Sequence, residues 1–188
     1  ALKSSGIETV NDWEGKTFGY KISPPPDYLA MLKVNDVDRS QIKEVNAGFD
    51  PRVLTEGKVD ILAVYKSNEP DTLKRLGFDL NIWEPEDYGV PNMGLTYITT
   101  QRLVEEHPAI TERFLKATLK GLEFAMDHKE SALDIVMTYA EKENRDHQRF
   151  MLDAELEDSI SDLTRQNGLG WMKDSQWQAL YDQLEEFQ

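Results

Sequence analysis

The stretch from Gly48 to Pro70 constrains the fold more than any other part of this 188-residue sequence. Its centre, Val59 to Tyr65, is a short apolar run rich in β-branched residues, which is typical of a buried strand. Asp50 and Pro51 precede it as a helix start, because an Asp side chain accepts from orphan amides and proline suits the first helical turn. Helix, strand and helix in close succession predict a parallel sheet of the α/β class.

The same alternation continues on both sides of this stretch. Val10 to Gly15 predicts a helical turn capped by Asn11 or Asp12. Further apolar segments predict three more strands and three helices that alternate with them. We therefore expect an α/β lobe over residues 10–92. The strands are expected at Thr17–Ile22, Ile42–Val45 and Leu80–Trp83, and the helices at about 26–33, 50–56 and 69–76.

Residues 93–188 have a different pattern, in which one strand at Leu95–Thr100 is followed only by helical periodicity. The glycines and proline of Tyr88–Gly94 suit either a hinge or an ordinary surface turn between the two parts. The apolar faces of the helices predict an exposed patch, burial against a second copy, or burial against a missing N-terminal lobe. Helices are expected from Pro108, at Ser131–Tyr139, at about 147–163 and from Asp174, the last with Trp177, Leu180, Tyr181, Leu184 and Phe187 facing inward.

Composition excludes several classes of protein. The net charge of −14 opposes contact with phosphate backbones, so we expect no nucleic-acid partner. The sequence has no cysteine, which excludes disulfides, thiol nucleophiles and cysteine-bound metals. No apolar run is long enough to span a bilayer.

Catalytic and cofactor motifs are absent from the sequence. The three histidines, His107, His128 and His147, stand singly without the spacing of a metal site. There is no nucleophile elbow, P-loop or dinucleotide fingerprint either. We therefore expect no metal, no cofactor and no catalytic residues.

Candidate ligand contacts cluster in the loops that follow the predicted strands, because ligands of open α/β sheets bind at the carboxyl ends of the strands. Tyr20 and Tyr28 are expected in the core, whereas Tyr65 and Tyr88 border turns where a ring could stack on a ligand. Glu69 is the expected polar anchor, and because its side chain would serve a ligand and not the core, Glu69→Gln is expected still to fold. The full set of expected ligand-binding residues is Ser23, Asp27, Asp50, Tyr65, Asn68, Glu69 and Tyr88.

The acids at this edge have two interpretations. Asp27, Asp50 and Glu69 all stand at predicted helix starts, where capping and dipole compensation are the alternative to a role in ligand binding. Capping is the better explanation for Asp50, whereas the two interpretations are about equally good for Glu69. If the acids line a ligand site, they favour an amine, an aminopyrimidine or another donor-rich heterocycle. A sulfonate or phosphate would prefer bare helix N-termini.

An ordered series of short motifs resembles one family. The series comprises Trp13–Lys16, the Gly57–Asp60 turn, Asn68–Glu69, Tyr88–Pro91 and the helix that begins at His107. It resembles the NMT1/THI5-like group of substrate-binding proteins, relatives of the sulfonate-, taurine- and thiamine-precursor-binding components of ABC transporters. The resemblance runs from about Gly6 to the end of the chain.

The resemblance implies a two-lobed, type II periplasmic-binding-protein-like fold. This chain would supply one parallel α/β lobe (10–92), followed by the return crossing and the helix-rich C-terminal part of the other lobe (93–188). The N-terminal part of the first lobe is not in the sequence. Two lobes that close over a ligand are how such proteins exclude water and shift between open and closed forms.

The implied function is reversible capture of a small nitrogenous solute, such as a thiamine-precursor pyrimidine, for delivery to an ABC permease. This function places the protein in the periplasm or outside the cytoplasmic membrane, with any leader upstream of the given sequence. Two alternatives stay open: a ligand-sensing domain of a signalling receptor, and a pyrimidine-precursor enzyme of thiamine biosynthesis.

Overall fold

The computed structural model describes residues 1–140 and 142–187, and its N-terminal part contains a parallel three-stranded sheet. The strands are β1 (Thr17–Tyr20), β2 (Lys43–Asn46) and β3 (Ile61–Leu62), in the order β2-β1-β3. The α/β class and the parallel direction predicted from the sequence are confirmed. Strand β1 pairs with β2 from Thr17↔Lys43 to Tyr20↔Asn46, and with β3 at Phe18↔Ile61 and Gly19↔Leu62.

Helices cover both faces of this sheet. Helix α1 (Pro26–Val34) connects β1 to β2 on one face, whereas α2 (Arg52–Thr55) and α3 (Glu69–Arg75) follow β2 and β3 on the other. Successive strand residues point to opposite faces, so Phe18 packs with α1 and Leu62 packs with α2 and α3. The result is the three-layer arrangement that alternating strands and helices predict.

Four aromatic rings fill the α1 face of the sheet. Phe18 and Tyr28 stack with ring centroids 3.7 Å apart and planes inclined by 8°. Trp13 lies 6.0 Å from Tyr28 and packs edge-on against Trp83 at 5.3 Å. Tyr28 is therefore a core residue, as predicted.

Two predicted strands do not form, and two others are shorter than predicted, since β1 ends at Tyr20 and not at Ile22. Leu80–Trp83 contributes only an isolated antiparallel bridge between Leu2 and Leu80. Leu95–Thr100 has no regular structure, and Ile98 is largely exposed. The run from Val59 to Tyr65 forms a strand only at Ile61–Leu62. A strand needs a hydrogen-bonding partner, and the local sequence pattern does not show whether one is available.

The helical turn near the N-terminus has a different cap from the one predicted. The 3-10 helix Val10–Trp13 begins after Thr9, whose side chain forms a capping box with Asp12. Asp12 Oδ2 accepts hydrogen bonds from the backbone of Glu8 and Thr9 at 3.0 and 2.8 Å, and these bonds lower the pKa of Asp12.

The chain divides into two units, of which the first contains residues 1–92 and the last helix, α9 (Asp174–Glu186). Helix α9 contacts α1, so it lies with the sheet although its position in the sequence groups it with residues 93–188. Its predicted inward face is only partly correct. Leu180, Leu184 and Phe187 are half-buried, whereas Trp177 and Tyr181 are exposed.

The second unit, Met93–Lys173, is helical. Its buried side chains in the described residues are Ala132, Leu133 and Leu156, where the helix Lys129–Tyr139 packs against the helix Arg145–Asp158. No described helix of the chain is long and apolar enough to cross a membrane. The unit comprises α4 (Gln101–Glu106), α5 (Pro108–Asp127), α6 (Lys129–Tyr139), α7 (Arg145–Asp158) and α8 (Asp162–Asn167), the last two replacing the single helix predicted at 147–163.

Candidate functional site

The carboxyl ends of the three parallel strands meet at one edge of the sheet, and the segments that follow them carry the candidate site. Lys21 comes directly after β1, Phe49 lies in the loop after β2, and Tyr65 lies in the loop after β3. Parallel strands place these loops side by side, which is why ligands of open α/β sheets bind there. Glu69, the first residue of α3, completes the group.

Glu69 is buried, with 5% of its surface exposed, and both carboxylate oxygens have partners. Oε1 accepts a hydrogen bond from Lys21 Nζ, and Oε2 accepts one from the Tyr65 backbone amide at 2.8 Å. A buried carboxylate is stable only when it is paired and hydrogen-bonded in this way. Glu69 therefore joins the loop after β1 to the loop after β3.

The Lys21 ammonium also lies against two aromatic rings. Its Nζ is 4.1 Å from the Tyr65 ring centroid and 5.9 Å from the Phe49 centroid, within the range of cation–π attraction. Both aromatic residues remain mostly exposed, at 61% for Tyr65 and 68% for Phe49. The edge of the sheet thus presents accessible ring surface beside a buried carboxylate and an ammonium group.

This combination suits a small planar molecule. Exposed aromatic rings offer stacking surface, and the charged pair offers both a hydrogen-bond donor and an acceptor. Large aromatic side chains with a few fixed polar groups are the usual composition of sites for small organic ligands. We call Lys21, Phe49, Tyr65 and Glu69 the edge cluster.

The other predicted site residues make local contacts. Asp27 Oδ1 accepts from the Tyr28 amide at 2.9 Å, and Ser23 is exposed in the loop before α1. Asn68 is the N-cap residue of α3 and precedes Glu69 directly. Tyr88 packs against the aromatic core, where burial raises its pKa.

The Asp50 side chain makes its hydrogen bonds within its own loop. Its carboxylate accepts hydrogen bonds from the backbone amide of Arg52 at 3.0 Å and from the Arg52 guanidinium at 2.6 Å. These bonds lower the pKa of Asp50 to about 2. Asp50 thus satisfies the first amide of α2, as a capping residue would, but the N-cap position of this helix is Pro51 and the helix begins later than predicted, at Arg52.

Two members of the edge cluster, Lys21 and Phe49, were not among the predicted site residues. Lys21 is separated from Glu69 by 48 positions, so their pairing has no local sequence signal. Phe49 stands between Gly48 and Asp50 in a loop predicted to contact the ligand. An aromatic residue in such a loop is a signal from which Phe49 could have been predicted as a site residue.

Other candidate sites are weaker. Within the described residues, no group of three or more His, Asp or Glu side chains is arranged to hold a metal ion. A cavity of about 450 Å³ in the second unit is lined by the single segment from Ile98 to His107. It brings together no distant parts of the chain, so the edge cluster is the better candidate.

Comparison with known proteins places this α/β chain in a family. The model of the NMT1/THI5-like family matches residues 1–132, so the chain belongs to that family. The resemblance drawn from the sequence motifs is thereby confirmed.

Three relatives align with most of the chain. The formylaminopyrimidine-binding protein of Halalkalibacterium halodurans is 28% identical over 98% of this chain and 60% of its own length. The riboflavin-binding protein RibY of Chloroflexus aurantiacus is 26% identical over 91% of the chain and 50% of its own length. A Haemophilus influenzae relative named for thiamine biosynthesis is 26% identical over 76% of the chain and 46% of its own length. The chain therefore spans about half of these relatives.

Proposed function

We propose that this chain forms the ligand-binding α/β lobe of a solute-binding protein that captures a small nitrogenous heterocycle for an ABC importer. The observation that carries the proposal is the edge cluster, in which exposed Phe49 and Tyr65 rings flank the buried Glu69 carboxylate at the carboxyl edge of a parallel sheet. The protein would act in the periplasm or elsewhere outside the cytoplasm.

The class of ligand follows from the chemistry of the edge cluster. The rings of Tyr65 and Phe49 favour a planar ligand, and Glu69 favours one that carries an amino group or a ring N–H. Two family relatives are named for binding formylaminopyrimidine and riboflavin, and both compounds contain planar nitrogen heterocycles. A thiamine-precursor pyrimidine is the ligand that we place at this edge.

The chain would supply one side of the site. In a type II, periplasmic-binding-protein-like arrangement, a second lobe would close over the ligand from the opposite side. Ser23, Asp27, Asp50, Asn68 and Tyr88 belong to the same proposal as loop contacts that closure would bring to the ligand.

Calorimetric titration of the full-length protein tests the proposal. We expect heat of binding with formylaminopyrimidine or riboflavin and none with ethanesulfonate, which has no planar ring and no hydrogen-bond donor and whose sulfonate would stand beside the Glu69 carboxylate. Binding of ethanesulfonate alone would overturn the ligand class. Absence of binding to all three compounds, in a protein that unfolds cooperatively, would overturn the function.

A catalytic role is the second candidate, because one relative is named for thiamine biosynthesis. The two roles differ in what happens to the bound molecule. A binding protein returns its ligand chemically unchanged, whereas an enzyme releases a product. Mass spectrometry of formylaminopyrimidine recovered after prolonged incubation with the protein distinguishes them, and we expect the unchanged compound.

A further inference from the structure

Three interactions of the edge cluster converge on one atom, Lys21 Nζ. This atom pairs with Glu69, faces the Tyr65 ring at 4.1 Å and approaches the Phe49 ring at 5.9 Å. A ligand bearing an amino group would make the same two kinds of contact, a hydrogen bond to the carboxylate and packing against the rings. The ammonium thus occupies the position that suits the donor group of the ligand.

We propose that Lys21 is an internal competitor for the ligand: it holds Glu69 in the ligand-free protein and must leave when the ligand binds. The inference rests on the proposed function and deepens it. In this scheme, the apparent affinity equals the intrinsic affinity multiplied by the fraction of molecules in which Lys21 has left Glu69.

The competition also selects the class of ligand. Because Glu69 is buried, displacement of Lys21 leaves a costly unpaired charge unless the ligand supplies a donor in its place. An amino or ring N–H group supplies one. A sulfonate or carboxylate would instead place a second negative charge beside Glu69, so an anion that lacks a donor cannot take the place of Lys21.

Lysine is suited to this exchange. Its ammonium is a compact charge on a flexible stem, and the Lys21 side chain is more exposed than that of Glu69, at 15% against 7%. The stem can therefore carry the charge into water without moving the loop. An arginine would hold the carboxylate through two parallel hydrogen bonds and would be harder to displace.

Two substitutions with opposite expected effects test the competition in the full-length protein, titrated calorimetrically with formylaminopyrimidine and with riboflavin. Lys21→Met removes the competitor, and we expect binding about tenfold tighter. Lys21→Arg strengthens the competitor, and we expect binding about tenfold weaker. Lys66→Met is the matched control, because Lys66 lies beside Tyr65 but pairs with half-exposed Glu84, and the affinity of this variant should equal that of the wild type.

The double variant Lys21→Met/Glu69→Gln separates competition from a structural effect. If Lys21 acts only by holding Glu69, Lys21→Met should have no effect on affinity in the Glu69→Gln background. Weaker binding by Lys21→Met, or changes in the same direction for Met and Arg, would overturn the inference and make Lys21 a direct ligand contact or a structural residue.

The outcomes also distinguish this inference from the proposed function. Binding by the wild type with unchanged affinity in both Lys21 variants overturns only the competition. Absence of binding by the wild type overturns the proposed function and the inference together. If Lys21→Met does not fold, Lys21→Arg decides, since equal or tighter binding by that variant contradicts the competition.

Discussion

Glu69 links the candidate site to the stability of the lobe. Its carboxylate bonds to Lys21 and to the Tyr65 amide, so it fixes two loops as well as offering an acceptor to a ligand. Removing one partner of a buried ion pair costs about 3–5 kcal/mol, because the other charge is left uncompensated. That Glu69→Gln still folds stays a prediction, and the buried ion pair adds that the variant should be less stable than the wild type.

We predict that Glu69→Gln loses both affinity and stability. The amide oxygen can still accept from Tyr65, but the charge that holds Lys21 is gone, so the free energy of unfolding should fall by roughly 1–3 kcal/mol. Ligand affinity should weaken by roughly 1.5–3 kcal/mol, the range for a hydrogen bond to a charged group. Urea unfolding and calorimetry measure the two effects.

Glu84→Gln is the matched control for this substitution. Glu84 pairs with Lys66 at 2.9 Å on the surface, and such pairs contribute about 0–1 kcal/mol. We expect little change in its unfolding or binding. If Glu69→Gln behaves like this control, the edge cluster does not hold the loops.

Gly19 gives a second prediction at the scale of single residues. It lies in the central strand, and a Cβ atom there would meet Ala47 Cβ at 2.9 Å and Val59 Cγ1 at 3.0 Å. Both neighbours belong to packed side chains beside the sheet and have little freedom to move, so Gly19→Ala should lower the free energy of unfolding by about 1–3 kcal/mol. Gly121→Ala in α5 meets no atom within 4 Å and should stabilise by up to about 1 kcal/mol. Urea midpoints that move in the same direction for both variants would contradict this packing.

At the scale of elements, the layer between the sheet and α1 carries a buried titratable group. Tyr28 of α1 stacks on Phe18 of β1, and its hydroxyl donates to Glu44 Oε1 of β2 at 3.1 Å. Arg39 bonds the same carboxylate through two nitrogens at 2.7 and 2.9 Å and lowers the pKa of Glu44. Burial, followed by the charge of Glu44, raises the pKa of Tyr28.

This raised pKa predicts a loss of stability in alkali. The unfolded chain releases the tyrosine proton near its ordinary pKa of about 10, whereas the folded chain retains it. The contribution of Tyr28 is thus fully present below about pH 10 and is lost as the pH rises toward the folded pKa. Tyr28→Phe should therefore show a flatter decline of unfolding free energy above pH 10, measured by urea unfolding at successive pH values.

Tyr139→Phe, at an exposed tyrosine, provides the comparison and should decline in alkali as the wild type does. At neutral pH, Tyr28→Phe should also lose roughly 1.5–3 kcal/mol, since the carboxylate of Glu44 loses a hydrogen bond. An alkaline decline in Tyr28→Phe as steep as in the wild type would show that Tyr28 is not the responsible group.

The elements that were predictable from the sequence are those whose signals are local. The β1 strand, the start of α1 after Pro25, and the stop of α3 before Gly77 follow from apolar alternation, proline and glycine. Leu80–Trp83 has the same kind of apolar pattern but finds a partner only at Leu2, so pattern alone could not determine whether it joins the sheet.

The candidate site, too, was predictable only where its signals are local in the sequence. The edge of the sheet and the proximity of Tyr65 to Glu69 follow from parallel topology and four positions of separation. The pairing of Glu69 with Lys21 depends on how two distant loops meet, which no local pattern encodes. The acidic residues at the predicted helix starts suggested a site lined by carboxylates that are free to bind a ligand. In the fold, Glu69 is paired with Lys21 and Asp50 with Arg52.

At the scale of the whole molecule, the second unit exposes apolar surface. Helix α5 has no fully buried residue, and Ile110, Phe114 and Leu115 are each about half exposed. The Phe114 ring packs edge-on against Tyr97, which is itself exposed. Contiguous apolar surface of more than a few hundred Å² usually marks an interface. We propose that the rest of a two-lobed protein covers this face.

The last prediction concerns the 188-residue chain by itself. With the α5 face uncovered, we expect it to self-associate, so that the mass measured by light scattering rises above that of a monomer as the concentration increases. Ile110→Ser/Phe114→Ser removes the two apolar side chains from the face and should restore the monomer mass. Tyr139→Ser removes an aromatic side chain that is 88% exposed on α6 and should leave association unchanged. A monomer at every concentration in the unsubstituted chain, or equal effects of the α5 and α6 substitutions, would show that the α5 face is not the interface.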